Sequence, residues 1–389
     1  MLLLLILVLV FVLYGIIEYR RHCRYRDSIP IRVQVNGTRG KSSVTRLIAA
    51  GLRASGMKVI AKTTGTTPRF ILSDTEEEPV PRPGKPNIVE NIRIIRRAAQ
   101  MKPQAIVLEC MALVPQYQWT DCHRLVRPTH GVITNARADH LDVMGPKVRD
   151  VARALSNTVP EHAEFFSAEQ EFFPVFAHQA QKSGTRAHQT RAETVSDEEM
   201  KGFSYVEHKE NAALALAVCE ALGVERQAAL QGMHRALPDP GAMRIYALEN
   251  QGRKLELVNT LAANDPDSID RLWQMTRDRK PERIVLVNCR SDRIDRSRQL
   301  AELCARSFQA DYYVATGSLT SVFIRAALHQ GLPAARVRNM GDNWPAAKVL
   351  QGIWDLVRQD ALVFATGNIV GYGGMLVDFC AGQGGEIAY

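Results

Sequence analysis

Residues 2–17, LLLLILVLVFVLYGII, run for sixteen positions without a charge, and the pattern then changes abruptly. Arg20, Arg21, Arg24, Arg26 and Arg32 follow, opposed only by Glu18 and Asp27. A cleaved signal peptide carries its positive charge before the apolar stretch and small residues at its end; here the order is reversed. A spanning helix usually takes about 20 apolar residues, and sixteen suffice with tilt and snorkelling arginines. A buried core helix is rarely so uniformly apolar at a terminus. The pattern therefore predicts an uncleaved, single-pass anchor over residues 1–20. The arginine excess on its C-terminal side places the rest of the chain in the cytoplasm, at the cell membrane.

From Ile29 the periodicity changes. IRVQV (31–35) is a short β-type run, NGTRGKSS (36–43) follows, and Val44, Leu47, Ile48, Ala50 and Leu52 then recur at helical spacing. Strand, glycine loop and helix form the context in which a phosphate-binding loop has a mechanism. Loop amides and the helix N-terminus point at phosphate oxygens, and the helix dipole favours negative charge there. Gly37, Thr38, Arg39, Gly40, Lys41, Ser42 and Ser43 are the candidate nucleotide-binding residues. The Lys41 ammonium would reach the β- and γ-phosphates, and the Ser42 hydroxyl would hold Mg²⁺. The general pattern has glycine at position 35, where this chain has Val35. The competing reading, a glycine turn with an exposed Lys41, is disfavoured by the strand before and the helix after.

Further along, QAIVLEC (104–110) reads as a buried strand ending in Glu109, a carboxylate placed to ligate Mg²⁺ at the same sheet edge. HGVITNARADHLDVMG (130–145) leads from a strand into Asn135, Asp139, His140 and Asp142. His140 is a structural hydrogen-bonder or, among these carboxylates, a metal or phosphate ligand. TTGTTPR (63–69), with Thr64, Thr66 and Arg69, is either a substrate loop or an ordinary turn. SDTEEEPVPRPGKPN (73–87) reads as a surface loop or flexible insertion. NIVENIRIIRRAAQM (87–101) reads as a helix with Ile88, Ile92 and Ile95 on one face. After Tyr246 short strands alternate with helices, the signature of a small Rossmann-like domain. GNIVGYGG (367–374) reads there as a turn.

Composition narrows the classes. With 46% hydrophobic and 23% charged residues the chain is a folded protein, and 389 residues allow two or three domains. The seven cysteines are scattered without a CxxC pair, so neither a disulfide framework nor a structural zinc site is expected. Of the net charge of +8, five remain beyond residue 32 once the +3 beside the apolar run is set apart, and that excess suits an anionic polymer. Aromatics are not interleaved with basic residues as in a stacking platform, so no nucleic-acid partner is expected.

In order, VNGTRGKSS, VLEC and ITNARADHLD resemble the Mur ligase superfamily of ATP-dependent amide ligases, and within it the ligase subunits of bacterial poly-γ-glutamate synthases, the PgsB/CapB type. The resemblance implies an α/β fold: a P-loop, Mur-ligase-like central domain (21–245) with a parallel-type sheet, and a smaller Rossmann-like C-terminal domain (246–389), after the N-terminal membrane helix. It implies ATP and Mg²⁺ as cofactors, with Lys41, Glu109 and His140 catalytic and Ser42, Glu109 and His140 on the metal. HKENAALALAVCEALGV (208–224) resembles the family helix whose asparagine contacts adenine, here Asn211; Arg244 stands for a nucleotide-contacting arginine. Asn264, Asp265 and Pro266 match part of a DYAHNP-type segment, and Asp292 and Arg293 part of a later loop. The family's carbamylated lysine has no counterpart in VARALSNT. The implied activity activates a γ-carboxylate as an acyl phosphate and joins it to the amine of glutamate, releasing ADP and phosphate. Implied partners are glutamate, the poly-γ-glutamate of a capsule, integral-membrane subunits of the synthase and further copies in an oligomer. A folylpoly-γ-glutamate-type ligase and a membrane-associated P-loop ATPase without ligase activity remain alternatives.

Overall fold

The computed structural model describes residues 1–65, 68–82, 84, 86–203, 205, 207–238, 243–263, 266–341 and 344–387, without the side chain of residue 267. The chain divides into two compact units, Met1–Phe203 with Glu207–Asp239, and Ser204–Val206 with Pro240–Tyr389.

The first unit opens on helix α1, Leu2–Asp27, 26 residues without interruption. It is long and apolar enough to cross a membrane by length and composition, and its apolar stretch is fully exposed. The helix does not stop at residue 20. Its last turns pack onto the unit: His22 donates from Nε2 to the carbonyl of Leu125 at 2.9 Å, and Arg26 donates to that of Arg124 at 3.1 Å. Arg26 is buried and holds Asp27, so it belongs to the fold rather than to a membrane-facing charge cluster.

Eight strands follow: β1 (Ile31–Asn36), β2 (Val59–Lys62), β3 (Arg69–Ile71), β4 (Glu77–Pro79), β5 (Ala105–Glu109), β6 (His130–Ile133), β7 (Glu164–Ser167) and β8 (Arg186–Gln189). They form one sheet in the order β4-β3-β2-β5-β1-β6-β7-β8. All neighbours pair parallel except β2–β3 and β3–β4, so the sheet is mixed at one edge. Part of the 73–87 segment is therefore a strand, not a free loop. Central strands such as AIVLE are apolar up to their last residue, Glu109, because both faces are covered. Val33, Val35 and Val107 pack under helix α2 (Lys41–Ala54) with Leu47 and Leu214. Ile60, Ile106 and Leu108 pack on the other side against Ile94 and Ile95 of helix α3 (Glu90–Gln100). The buried face of α3 is Glu90, Asn91, Ile94, Ile95, Ala98 and Ala99, so of the expected Ile88–Ile92–Ile95 stripe only Ile95 lies on it.

The second unit has strands β9 (Arg244–Asn250), β10 (Arg253–Asn259), β11 (Glu282–Cys289), β12 (Tyr312–Gly317), β13 (Val337–Gly341), β14 (Ala361–Gly367) and β15 (Gly385–Ile387), in the order β13-β12-β11-β14-β10-β9-β15. The five from β13 to β10 run parallel; β9 and β15 are antiparallel additions. Because β9 forms a hairpin with β10, the division falls before it, at 239/240 rather than at 245/246. The core is built around fully buried Trp273, with Phe308 at 4.9 Å and Phe364 at 5.4 Å between ring centroids. The GNIVGYGG segment is a turn only at Val370 and Gly371: a helix, Tyr372–Gln383, begins inside it, with Gly371 at φ +76° immediately before.

Candidate active site

In the parallel register Val35 lies opposite Glu109 and Asn36 opposite Ile133, so β1, β5 and β6 end together. The glycine loop, Glu109 and the segment after β6 therefore meet at one sheet edge, where parallel α/β sheets bind ligands.

The loop is clamped by the segment after β6. Thr38 N–H donates to the Asn135 carbonyl at 3.1 Å and its hydroxyl to Asn135 Oδ1 at 2.7 Å. Arg39 N–H donates to the same Oδ1 at 3.1 Å, while the Thr134 hydroxyl and the Asn135 amide donate to the Arg39 carbonyl. Gly37 sits at φ +131°, and a Cβ there would lie 2.0 Å from Thr134 Oγ1. Gly40 sits at φ +78° as the residue before α2, and a Cβ would lie 2.6 Å from Asn211 Oδ1. Both glycines are required by close approach as well as by backbone conformation. Lys41 Nζ donates to the carbonyls of Gly37 at 2.8 Å and Thr38 at 3.4 Å, which hold the ammonium over the loop. Ser43 follows in the first turn of α2.

Glu109, 2% exposed, accepts at Oε2 from the Ser42 hydroxyl at 2.8 Å and from Thr64 N–H at 2.7 Å. The structure thus joins three sequence candidates from separate segments. Two oxygen donors from Ser42 and Glu109 suit a hard divalent cation. His140 stands apart from that pair's contacts. It precedes a short helix at φ +46°, is half-exposed, and lies 3.8 Å from Asp139, which in turn faces Arg39 at 3.5 Å. Among the described residues no three His, Cys, Asp or Glu side chains converge on one point. The cation fit therefore rests on Ser42 and Glu109.

Asn211 is buried beside Gly40 and donates to Glu207 at 2.8 Å, at the loop itself. Arg69 starts β3 and pairs with Glu77 at 3.4 Å, along the sheet edge. Arg244 lies in the second unit, where it pairs with Glu386 at 3.3 Å. Asp292 pairs with Arg290 at 2.7 Å, and Arg293 precedes the helix Ile294–Ser307. Thr66, Asn264 and Asp265 lie outside the described residues.

Sequence reasoning missed a buried network below Glu109. Lys62, fully buried at the end of β2, donates to Glu90 at 2.7 Å and Asn91 at 3.3 Å. Asn91 donates on to Asp121 at 2.7 Å, and Gln34 donates to its other oxygen at 2.9 Å. Arg82 grips Glu90 through two hydrogen bonds and reaches the Thr64 carbonyl at 3.3 Å. Burial pushes the Asp121 carboxyl up to about 6, against the pull of Asn91 and Lys62. Burial also lowers the Lys62 ammonium, which Glu90 opposes. The available signal was Lys62 itself, a cation in an otherwise apolar strand.

The chain matches two family profiles: Mur ligase middle domain over residues 35–237, and Poly-gamma-glutamate synthase CapB C-terminal domain over residues 245–383. It is 37% identical to the capsule biosynthesis protein CapB of Bacillus anthracis, covering 94% of this chain and 80% of that protein. It is 35% identical to the PGA synthase CapB of Bacillus subtilis strain 168, covering 97% and 96%. Its fold is similar to that of a bifunctional folylpolyglutamate synthase/dihydrofolate synthase from Yersinia pestis, solved with AMPPNP and Mn ion. That likeness has a TM-score of 0.69 at 15% identity, covering 93% of this chain and 92% of the other.

Proposed function

The chain belongs to the Mur ligase family, in its poly-γ-glutamate synthase CapB type, and from that premise we propose that the loop 37–43 and Glu109 carry its chemistry. The protein is an ATP-dependent amide ligase of poly-γ-glutamate synthesis. A γ-carboxylate attacks the γ-phosphorus of ATP, giving an acyl phosphate and ADP. The amine of glutamate then attacks the acyl carbon, the C–O bond to phosphate breaks, and phosphate leaves with an amide formed.

Such transfers need positioning and charge neutralisation more than covalent help from side chains. Loop amides and the N-terminus of α2 bind the polyphosphate, and the Lys41 ammonium turns from the Gly37 and Thr38 carbonyls towards it. Ser42 and Glu109 would hold Mg²⁺, which supplies further positive charge opposite the phosphates. Thr64 N–H fixes the Glu109 carboxylate, and the Asn135 clamp fixes the loop. His140, beside Asp139, is the third candidate ligand and lies outside the paired contacts. Asn211, packed on Gly40, lines the nucleotide side of the loop. Arg244 is proposed as a nucleotide contact, and Thr64, Thr66 and Arg69 as substrate-side residues. We place α1 in the cell membrane with both units in the cytoplasm, working with integral-membrane subunits and as an oligomer.

The observation that carries this reading is the Ser42–Glu109 contact at the end of a GKS loop. Membranes holding the full chain and its partner subunits, given ATP and labelled glutamate, should form labelled polymer. Lys41→Ala should abolish polymer while the protein still sediments with membranes. Polymer made by Lys41→Ala overturns the loop assignment; ATP hydrolysis without polymer in the complete system overturns the ligase reading.

A further inference from the structure

We infer that the end of α1 and the outer face of α3 together form a binding surface for anionic phospholipid headgroups. The inference rests on the membrane reading of α1. A groove of about 480 Å³ is lined by Ile17, Arg20, Arg21, Arg24 and Tyr25. It is apolar at the end where the hydrophobic run stops and cationic beyond. A helix rises 1.5 Å per residue, so Arg20 to Arg24 lie roughly 5–10 Å past Ile17. That is about the depth of the headgroup layer outside a ~30 Å hydrocarbon core.

Folding adds charge from a distant segment. Helix α3 packs on α1, and Tyr25 is in electrostatic contact with both Arg21 and Arg96, its ring 5.8 Å from the Arg21 guanidinium. Arg93 lies one turn from Arg96 on the same helix and is likewise exposed. Among the described residues Arg20, Arg24, Arg93 and Arg96 face no acidic partner within ion-pair distance, and Arg21 has only Glu18 at 3.8 Å. Other nearby arginines are engaged: Arg97 with Glu78 at 2.6 Å, and Arg26 with Asp27. Five exposed guanidiniums against one carboxylate beside an apolar helix complement a phosphodiester whose acyl chains run along that helix. Basic side chains near an anionic surface contribute about fivefold each in lipid preference.

The full chain, purified in neutral detergent, is titrated with phosphatidylglycerol and phosphatidylcholine, and retained lipid is counted by native mass spectrometry. Phosphatidylglycerol should be retained preferentially, and inorganic phosphate should not displace it. The double variant Arg93→Gln/Arg96→Gln should lower that preference roughly ten- to thirtyfold, with ATP binding unchanged. Arg153→Gln/Arg186→Gln, at exposed arginines elsewhere on the unit, should leave it as it is. Equal retention of the two lipids, displacement by phosphate, or an unaltered preference in the Arg93/Arg96 variant overturns the proposal. A full chain that stays in solution without detergent overturns the anchor reading instead.

Discussion

Asn135 fixes the glycine loop through one carboxamide, accepting from Thr38 and Arg39 and donating to the Arg39 carbonyl. Its loss leaves a loop N–H unpaired, at a cost of about 1–2 kcal/mol. Asn135→Ala should therefore lower Tm by a few degrees and raise the Kd for ATP about tenfold, read by a thermal scan and by titration with a fluorescent nucleotide. Gly37→Ala is harsher: the new methyl would meet Thr134 Oγ1 at 2.0 Å, and nucleotide binding should be lost. Asp121 makes a pH prediction. Its folded pKa of about 6 lies above the ordinary aspartate value, so the folded protein binds this proton more tightly than the unfolded chain. Its contribution to stability is then full below about pH 4 and is lost as pH rises through 6. The amount at stake is about 3 kcal/mol. Lowering pH from 7 to 5 should raise the Tm of the natural protein relative to Asp121→Asn; a constant difference across that range would refute the assignment.

Helix α3 is tied to β2 by a buried ion pair at its first residue, Glu90 with Lys62. Removing one partner strands a charge in the interior and costs roughly 3–5 kcal/mol, whereas removing both costs far less. Glu90→Leu should thus be strongly destabilising in urea unfolding, and Lys62→Met/Glu90→Leu should recover part of the loss, the remainder staying with Arg82, which also loses Glu90. This pair also explains what the sequence could and could not reveal. The strand, glycine loop and helix were legible because IRVQV, GKS and the apolar spacing after it each have their own local signature, and the place of Glu109 because it ends an apolar strand. The buried side of α3 was not, because Glu90 and Asn91 lie on it; a periodicity count rewards isoleucines, and these polar groups are buried through partners thirty residues away. The Asn135 clamp was visible only as one member of a polar cluster, since its partners are backbone atoms of Thr38 and Arg39. Likewise β13 and β15 carry little hydrophobic alternation and are set by pairing with their neighbours.

At the scale of the whole molecule, α1 has two parts with different physics. Residues 2–17 are exposed throughout, whereas His22 and Arg26 are built into the first unit. A chain starting at Glu18 should fold with an unchanged Tm and lose its membrane recovery. One starting at Ile29 exposes the carbonyls of Leu125 and Arg124 and should unfold several degrees earlier, as measured by thermal scans. Since the helix passes from its apolar run to Arg26 without a break, it behaves as a spindle, not a leash. Each residue inserted between Ile17 and Glu18 would turn the first unit by about 100° and lift it by about 1.5 Å. Any protein lying in the bilayer beside it would meet a different flank after one added alanine. After seven, nearly two whole turns, it would meet almost the same flank about 10 Å higher. Polymer formation across a series of one to seven inserted alanines should oscillate with rotational phase and not fall steadily with length.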